Sequence, residues 1–263
     1  MSEKPRIFHF HNRFHLGDNL LNLKFLYNIR DTLREHRIHI YYYYDTGYIY
    51  NTLAELNVFV DPTTLTLHDC SKKVPESIEL WQSISINGIS CYQFDTFYNA
   101  LYTKVLRTMS IPVESINTSL WQDEPYLSDI YDTLNDRYKN IDILIINNRG
   151  NSGQYNSTKA LNALCVHLNT KFNIVVTTHI SDEIKSTNDT FTVRDYGAIS
   201  THCKYIISVF SGTNSCLFNS KTKESVKKWF MIEDCMPHRI DSIDCTFTNS
   251  IGEIREYFDS LVV

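Results

Sequence analysis

The spacing of apolar positions changes along the chain, and each spacing predicts a different element. From Leu20 to Leu33 apolar residues recur every three or four positions, which predicts a helix that starts near Asp18 and buries one face. Residues 38–44 are β-branched and aromatic and predict a strand. Residues 174–178 lack polar alternation, as expected for a strand in a parallel sheet covered on both faces.

The same reasoning extends over the whole chain. The predicted strands are residues 7–10, 38–44, 58–60, 64–68, 83–89, 141–146, 174–178, 205–210 and 229–232. The predicted helices are residues 18–33, 50–56, 94–109, 128–138, 158–168, 192–203 and 251–261, with a further helix that opens at residues 211–215.

Strands and helices alternate in both halves of the chain, which is typical of parallel sheets flanked by helices. Residues 116–127 have no clear period, so we place a domain boundary there. The predicted fold class is α/β, with two Rossmann-like domains, residues 1–122 and 123–263, that face a cleft. The last helix is a candidate to pack back on the N-terminal domain. In open sheets of this kind, ligands bind beyond the carboxyl ends of the strands.

Composition narrows the class of protein. The chain has 263 residues, 43% of them apolar, and a net charge of −5, so there is no basic excess to attract nucleic acid or an anionic membrane. The seven cysteines form no C-x-x-C pair, which favours reduced thiols in the cytoplasm. The sequence contains neither a signal-peptide core nor an apolar run long enough for a transmembrane segment.

The loop before the first predicted helix is the first candidate site. A strand, a loop with Gly17 and a carboxylate at Asp18 place an acidic group at the start of a helix. Local spacing alone favours a plain helix cap, in which Asp18 accepts hydrogen bonds from free backbone N–H groups. The other interpretation is a catalytic carboxylate.

The second candidate site lies between a predicted strand and the helix that follows it. Residues 211–215 are small, and their backbone N–H groups and hydroxyls would suit a phosphate or diphosphate. A Ser/Thr-rich helix cap explains the same pattern equally well. The chain contains neither a Walker motif nor a G-x-G-x-x-G motif.

A metal site is not indicated. His9, His11 and His15 are close in sequence, but no carboxylate or cysteine cluster accompanies them. The chain also has no Asp-x-Asp pair, with which many sugar-nucleotide enzymes hold a divalent ion. If sugar transfer is the chemistry, it is therefore predicted to be metal-independent.

Three segments together resemble the ADP-heptose lipopolysaccharide heptosyltransferase family of glycosyltransferases. Leu16-Gly17-Asp18 before an apolar helix resembles its N-terminal signature. Residues 205–210 with Ser211-Gly212-Thr213-Asn214 resemble its Ser-Gly phosphate loop, and residues 141–146 with the following Asn-Arg-Gly loop resemble the start of its C-terminal half. The resemblance implies a GT-B fold, inverting transfer without a metal, Asp18 as general base, and a donor diphosphate held by Ser211, Gly212, Thr213 and Asn214.

The resulting hypothesis is a hexosyl- or heptosyltransferase-like enzyme that moves a sugar from a nucleotide-diphosphate sugar to a hydroxyl of a glycan or glycoconjugate. Asp18 would take the acceptor proton, and Arg149 with residues 211–215 would stabilise the departing diphosphate. No cofactor is expected beyond the nucleotide sugar itself. Further candidate contacts are Arg13, His15, Gly17 and Asn19 for the acceptor or a phosphate, Ser215 for the diphosphate, and His179 and Glu233 for the donor nucleoside.

The sequence leaves a second class open, because the donor loops depart from the family's pattern. Thr213 stands where a proline is usual, and Thr178-His179 replaces the usual Gly-Gly. A non-catalytic nucleotide- or glycan-binding relative would fit these departures. A phosphotransferase is a third alternative, disfavoured by the missing phosphate-loop motifs.

Overall fold

The chain divides into two compact units, Met1–Gln122 and Asp123–Val263. The description rests on a computed structural model that describes residues 4–13, 15–45, 53–70, 76–80, 85–148, 155, 157–234 and 238–261. Each unit is built on a parallel sheet accompanied by helices. The predicted α/β fold class is therefore confirmed.

Unit 1 is organised around its first strand. The strands are β1 (Arg6–Asn12), β2 (Ile38–Tyr44), β3 (Leu65–Asp69) and the two-residue β4 (Ile78–Glu79). They form a parallel sheet in the order β3-β2-β1-β4, so β1 lies inside it. The helices are α1 (Leu16–Asn28), α2 (Arg30–Glu35), α3 (Leu53–Asn57) and α4 (Phe94–Thr108), with a short hairpin of β5 (Ser85–Ile86) and β6 (Ile89–Ser90) before α4.

The core of unit 1 lies on one face of this sheet. Along β2 the burial alternates, with Ile40 and Tyr42 fully buried and Tyr41 half-buried on the opposite face. Helices α1 and α4 pack together through Phe25 and Tyr102, whose rings stack with their centroids 4.0 Å apart. This packing brings the start of α1 close to α4.

Unit 2 contains a parallel sheet with five described strands, one more than that of unit 1. Its strands are β7 (Ile143–Ile146), β8 (Ile174–Val176), β9 (Tyr205–Val209), β10 (Lys228–Ile232) and β11 (Cys245–Thr248), in the order β11-β10-β9-β7-β8. Its α-helices are α5 (Tyr126–Thr133), α6 (Thr158–Asn169), α7 (Val193–Ser200), α8 (Ser220–Ser225) and α9 (Ile251–Ser260). A 3₁₀ helix, Gly212–Leu217, connects β9 to α8.

The last helix, α9, contributes to the core of unit 2. Ile254 and Phe258 are fully buried and belong to the same hydrophobic cluster as Leu168 and Phe230. The ring of Phe258 also meets that of Phe172, 5.5 Å away between centroids. The apolar face of α9 is thus used within unit 2.

Several predicted elements differ in the structure. Residues 58–60 are not a strand: they continue α3 in hydrogen-bonded turns, and Phe59 is buried as a turn residue. The described part of residues 83–89 is a hairpin, because Asn87 and Gly88 both adopt positive φ, as a tight hairpin turn requires. The helix predicted at residues 50–56 begins at Leu53, and residues 50–52 lie outside the described residues.

Two helix starts in unit 2 also differ. The helix predicted at residues 128–138 begins earlier, at Tyr126 directly after Pro125, because proline has no N–H to lose in a first turn. It ends at Thr133, and a separate 3₁₀ turn follows at Asp136–Tyr138. The helix predicted to open at residues 211–215 is a 3₁₀ helix, and α8 follows it after the N-cap residue Asn219, whose side chain accepts from the Thr222 N–H.

Candidate functional site

In each sheet there is a point at which consecutive connections run to opposite sides, a topological switch point. One of the two predicted sites lies at the switch point of each sheet. In unit 1, β2 lies on one side of β1 and β4 on the other, so consecutive connections diverge at the carboxyl end of β1. In unit 2, β8 and β9 flank β7 in the same way. Open parallel sheets bind ligands at such points. The loop after β1 leads to Asp18, and the loop after β9 contains residues 211–215.

Asp18 lies in the first turn of α1, and the N-cap residue is His15. Asp18 is therefore not the N-cap residue, although its carboxylate accepts a hydrogen bond from its own backbone N–H in the first turn. The Asp18 carboxylate also accepts a hydrogen bond from Tyr98 on α4, with 2.9 Å between Tyr98 Oη and Asp18 Oδ1. The helix starts earlier than predicted because Leu16 and Gly17 already have helical geometry.

The environment of Asp18 favours its neutral form more than water does. The side chain is half-buried, and burial raises the pKa of its carboxyl group. The hydrogen bond from Tyr98 and the nearby His15 act in the opposite direction and limit that rise. A partly buried carboxylate that is held by the Tyr98 hydroxyl and by its own backbone N–H has the chemistry of a proton acceptor.

The residues near Asp18 divide into surface groups and buried supports. Arg13 and His15 are exposed, so both are accessible to a ligand. Gly17 is half-buried within the helix and does not adopt positive φ. Asn19 is fully buried: its amide donates to the His15 carbonyl at 3.0 Å and accepts from the Tyr42 hydroxyl at 2.9 Å. Asn19 thus anchors the start of α1 to β2.

The two histidines of β1 have hydrogen-bond partners on β2 and next to β4. His9 Nδ1 lies 3.0 Å from the Tyr43 hydroxyl, and His11 Nδ1 lies 2.8 Å from Ser77 Oγ. The pKa of His11 is lowered, chiefly by burial. Within the described ranges, no group of three or more His, Cys, Asp or Glu residues has the arrangement of a metal site.

Two side chains of the loop after β9 stabilise it through hydrogen bonds. Asn214 is buried, and its amide donates to Ser208 Oγ and to the Val209 carbonyl, both at 3.3 Å. Ser215 is also buried and donates to the Gly212 carbonyl at 2.8 Å. Asn214 and Ser215, which are predicted to contact the diphosphate, therefore stabilise the loop.

The upper part of this loop is Ser211, Gly212 and Thr213, which are all half-buried. Ser211 has extended backbone geometry, with φ −156° and ψ 172°. Its hydroxyl oxygen is buried and has no hydrogen-bond partner among the described residues. These three residues are the part of the loop that a ligand could reach.

Asn148 links this loop to the one after β7. Its Nδ2 donates to Thr213 Oγ1 at 3.1 Å, which joins the two sides of the switch point. The neighbouring Asn147 is buried and bonds to Thr177 and Thr178 at the end of β8. Neither asparagine is among the predicted site residues, although they are the first two residues after a strongly apolar strand. Arg149, predicted for the diphosphate, lies outside the described residues.

The two candidate nucleoside residues lie at distant strands. Glu233 follows β10, is buried, and pairs with His238, whose Nδ1 is 2.8 Å from Glu233 Oε2. The His238 ring packs on Phe210, with 4.8 Å between centroids. His179 is exposed after β8, three strand spacings or about 14 Å from β10. Glu233 adjoins the loop after β9, whereas His179 does not.

The structure resembles solved glycosyltransferase structures over nearly its whole length. The glycosyl transferase family 9 structure from Veillonella parvula DSM 2008 matches with a TM-score of 0.52 and 14% identity, over 99% of this chain and 92% of that one. E. coli heptosyltransferase WaaC with ADP-2-deoxy-2-fluoro heptose matches with a TM-score of 0.54 and 6% identity, over 98% and 99% of the two chains. E. coli ADP-heptose lps heptosyltransferase II matches with a TM-score of 0.52 and 8% identity, over 98% of each chain.

At these identities the likeness shows a shared fold. The predicted α/β fold of GT-B type is therefore confirmed. No protein-family model and no curated protein matches the sequence. In the part of the chain that the structure describes, no helix has the length and apolar character needed to cross a membrane.

Proposed function

We propose that this protein is a glycosyltransferase whose donor is a nucleotide-diphosphate sugar and whose acceptor is a hydroxyl of a glycan or glycoconjugate. One observation carries the proposal: Asp18 and the loop of residues 211–215 each lie at the switch point of their own sheet. The fold in which they do so is shared with solved heptosyltransferases, one of which holds ADP-2-deoxy-2-fluoro heptose.

Asp18 acts as the general base in this proposal. Its carboxylate takes the proton from the acceptor hydroxyl while the acceptor oxygen forms a bond to the anomeric carbon. The bond between that carbon and the diphosphate breaks, and the nucleoside diphosphate leaves with the electron pair. Attack from the face opposite the leaving group inverts the configuration. Exposed Arg13 and His15 are proposed to contact the acceptor or its phosphates.

The loop after β9 holds the donor diphosphate. Gly212 and Thr213 offer backbone N–H groups and the Thr213 hydroxyl at its half-buried surface. The buried Ser211 hydroxyl, unpaired among the described residues, is proposed to turn its proton to the diphosphate, and Arg149 supplies positive charge for the leaving group. Glu233, which adjoins this loop, is proposed to contact the donor nucleoside. Transfer proceeds without a metal ion, so EDTA is expected to leave activity unchanged. A cytoplasmic location remains a prediction.

The central experiment replaces Asp18 with asparagine. The wild type and Asp18→Asn are assayed for release of nucleoside diphosphate from ADP-heptose, UDP-glucose and GDP-mannose, with and without glycan acceptors. Loss of turnover with donor affinity intact is expected, because asparagine cannot accept the proton. Asp31→Asn is the matched control, since Asp31 lies in the first turn of the next helix and is exposed.

The outcomes separate the candidate functions. Full turnover by Asp18→Asn would remove Asp18 as the base. Donor binding by the wild type without turnover of any acceptor would favour a non-catalytic nucleotide-binding protein. Donor binding is tested by calorimetry with Ser211→Ala and Thr213→Val, which are expected to weaken it about ten-fold each, as lost hydrogen bonds to a charged group do. Ser260→Ala, at the end of α9, is the control.

A further inference from the structure

Two tyrosines of α4 occupy equivalent buried positions but have different partners. Tyr98 and Tyr102 lie one helical turn apart and are 2% and 1% exposed. The Tyr98 hydroxyl donates to the Asp18 carboxylate at 2.9 Å, whereas the Tyr102 hydroxyl donates to the Leu21 carbonyl, also at 2.9 Å. One tyrosine therefore holds a side chain of α1, and the other holds its backbone.

The Tyr98 ring is fixed by its neighbours. Phe94 and Phe97 contact it edge to face, with ring centroids 4.9 and 5.6 Å away, and Tyr102 packs 5.7 Å from it. A hydroxyl on a ring held from three directions presents its proton at one place. The carboxylate of Asp18 that accepts this proton is thereby restricted in rotation, which favours a single catalytic geometry.

We infer that Tyr98 is the positioning residue of Asp18: its hydroxyl holds one carboxylate oxygen in place, so that the carboxylate accepts a proton in a single geometry. The role in sugar transfer rests on the proposed function, but the coupling between the two side chains does not. A hydrogen bond to a carboxylate is stronger than one between neutral groups, which makes this contact suited to the task.

The titration of both groups supports this assignment. Burial and the Asp18 carboxylate raise the pKa of Tyr98 well above its ordinary value, so its hydroxyl remains a donor at any pH of interest. Burial raises the pKa of Asp18, and the Tyr98 hydrogen bond counteracts that rise. Loss of the hydroxyl is therefore expected to shift the Asp18 titration to higher pH.

Other titratable groups also face this carboxylate. The test variant must therefore remove the Tyr98 hydroxyl and leave those groups unchanged. Tyr102 on α4 and Tyr42 on β2 are buried near it, Cys91 precedes α4, and His15 precedes α1. Of these only His15 stabilises the ionised form of Asp18. The comparison of Tyr98→Phe with Tyr102→Phe leaves all the other groups in place.

The first measurement needs no substrate. Full-length wild type, Tyr98→Phe and Tyr102→Phe are labelled with ¹³C at the aspartate carboxyl carbon and titrated by NMR, with the Asp18 signal assigned from Asp18→Asn. Tyr98→Phe is expected to raise the pH of the Asp18 transition, and Tyr102→Phe to leave it unchanged. An unchanged transition in Tyr98→Phe, or an equal shift in both variants, would overturn the inference.

The second measurement connects the contact to turnover. With the donor panel above, Tyr98→Phe is expected to lower kcat at pH 7 by about 10- to 100-fold with little change in KM, and the loss should shrink as the pH rises. Tyr102→Phe should keep the wild-type pH profile. If the wild type turns over no donor, the proposed function fails, and the NMR titration alone still decides whether Tyr98 controls Asp18.

Discussion

Gly197 provides the sharpest test of how unit 2 supports the loop of residues 211–215. It lies inside α7, where the helix passes the 3₁₀ helix Gly212–Leu217. A Cβ atom added at Gly197 would lie 2.9 Å from the carbonyl oxygen of Cys216 and 3.3 Å from Cδ2 of Leu127. The first distance is to a backbone atom, so the clash can be relieved only if the two helices move apart.

The expected cost follows from two opposing effects. Gly197→Ala stabilises the helix by about 1 kcal/mol through backbone entropy. Overpacking of a buried contact costs about 1–3 kcal/mol, so a net loss of about 1 kcal/mol is expected. Gly252→Ala on α9 is the control, because its added Cβ would meet only Ser250 Oγ at 3.8 Å and the helix should gain about 0.5–1 kcal/mol.

Thermal unfolding monitored by circular dichroism measures the difference. For a unit of about 140 residues, 1 kcal/mol corresponds to about 3 °C in Tm. Gly197→Ala is therefore expected to melt about 6 °C below Gly252→Ala, since the two variants should differ by about 2 kcal/mol. A Gly197→Ala protein that melts at or above the temperature of Gly252→Ala would refute the reasoning, because the close approach would then cost nothing.

Two further predictions concern unit 2. Ser208→Ala is expected to cost about 1–3 kcal/mol in urea unfolding, because Ser208 Oγ accepts from Trp229 Nε1 at 2.8 Å and its loss leaves a buried donor unpaired. The loss should shrink in a Trp229→Phe background, and equal losses in both backgrounds would contradict this. Lys171 and then His167 lower the pKa of Asp259 to about 2. The stability that Asp259 contributes is present above its unfolded pKa of about 3.9 and is lost as the pH falls towards 2, so the Tm gap between wild type and Asp259→Asn should be present at pH 5, narrow from pH 4 downwards and close near pH 2.

Elements with a strong local signal could be predicted from sequence. The strand predicted at residues 38–44 is β2 with the same bounds, because β-branched and aromatic residues alternate between a buried and a half-buried face. The predicted helices at 94–109 and 158–168 match α4 and α6 to within one residue at each end. The helix predicted at residues 18–33 is two helices, α1 and α2, because Ile29 and Leu33 stay buried across the break and the apolar period therefore does not reveal it.

Elements whose form depends on distant residues could not be predicted. The two-residue strand β4 exists because it pairs with β1, more than 60 positions earlier in the chain. β11, at the edge of its sheet, has only half-buried residues and thus no marked apolar pattern. Residues 58–60 are apolar because the Phe59 side chain packs in the core. A residue in a strand and a residue in a turn can both be buried in this way, so the apolar pattern does not distinguish them.

In the candidate site too, features that depend on local sequence were predicted and features that depend on distant residues were not. The position of Asp18 at the carboxyl end of β1 follows from local pattern, as does the loop of residues 211–215. Tyr98 was not predicted, because 80 positions separate it from Asp18 and a tyrosine on an apolar helix face is equally suited to a core. Asn148 was missed for the same reason, since its link to Thr213 spans 65 positions.

The interior position of the first strand in each sheet has a consequence for synthesis. β1 and β7 leave the ribosome before the strands on either side of them, so each spends time with two unpaired edges. The sheet of unit 1 closes when β4 is made, well before β7 is translated, whereas that of unit 2 closes only with β11 near the end of the chain. Domains fold as units during translation. We therefore expect the first half to complete its fold while the second is still being made, with β1 and later β7 in need of protection from aggregation until β4 and β9, respectively, are made.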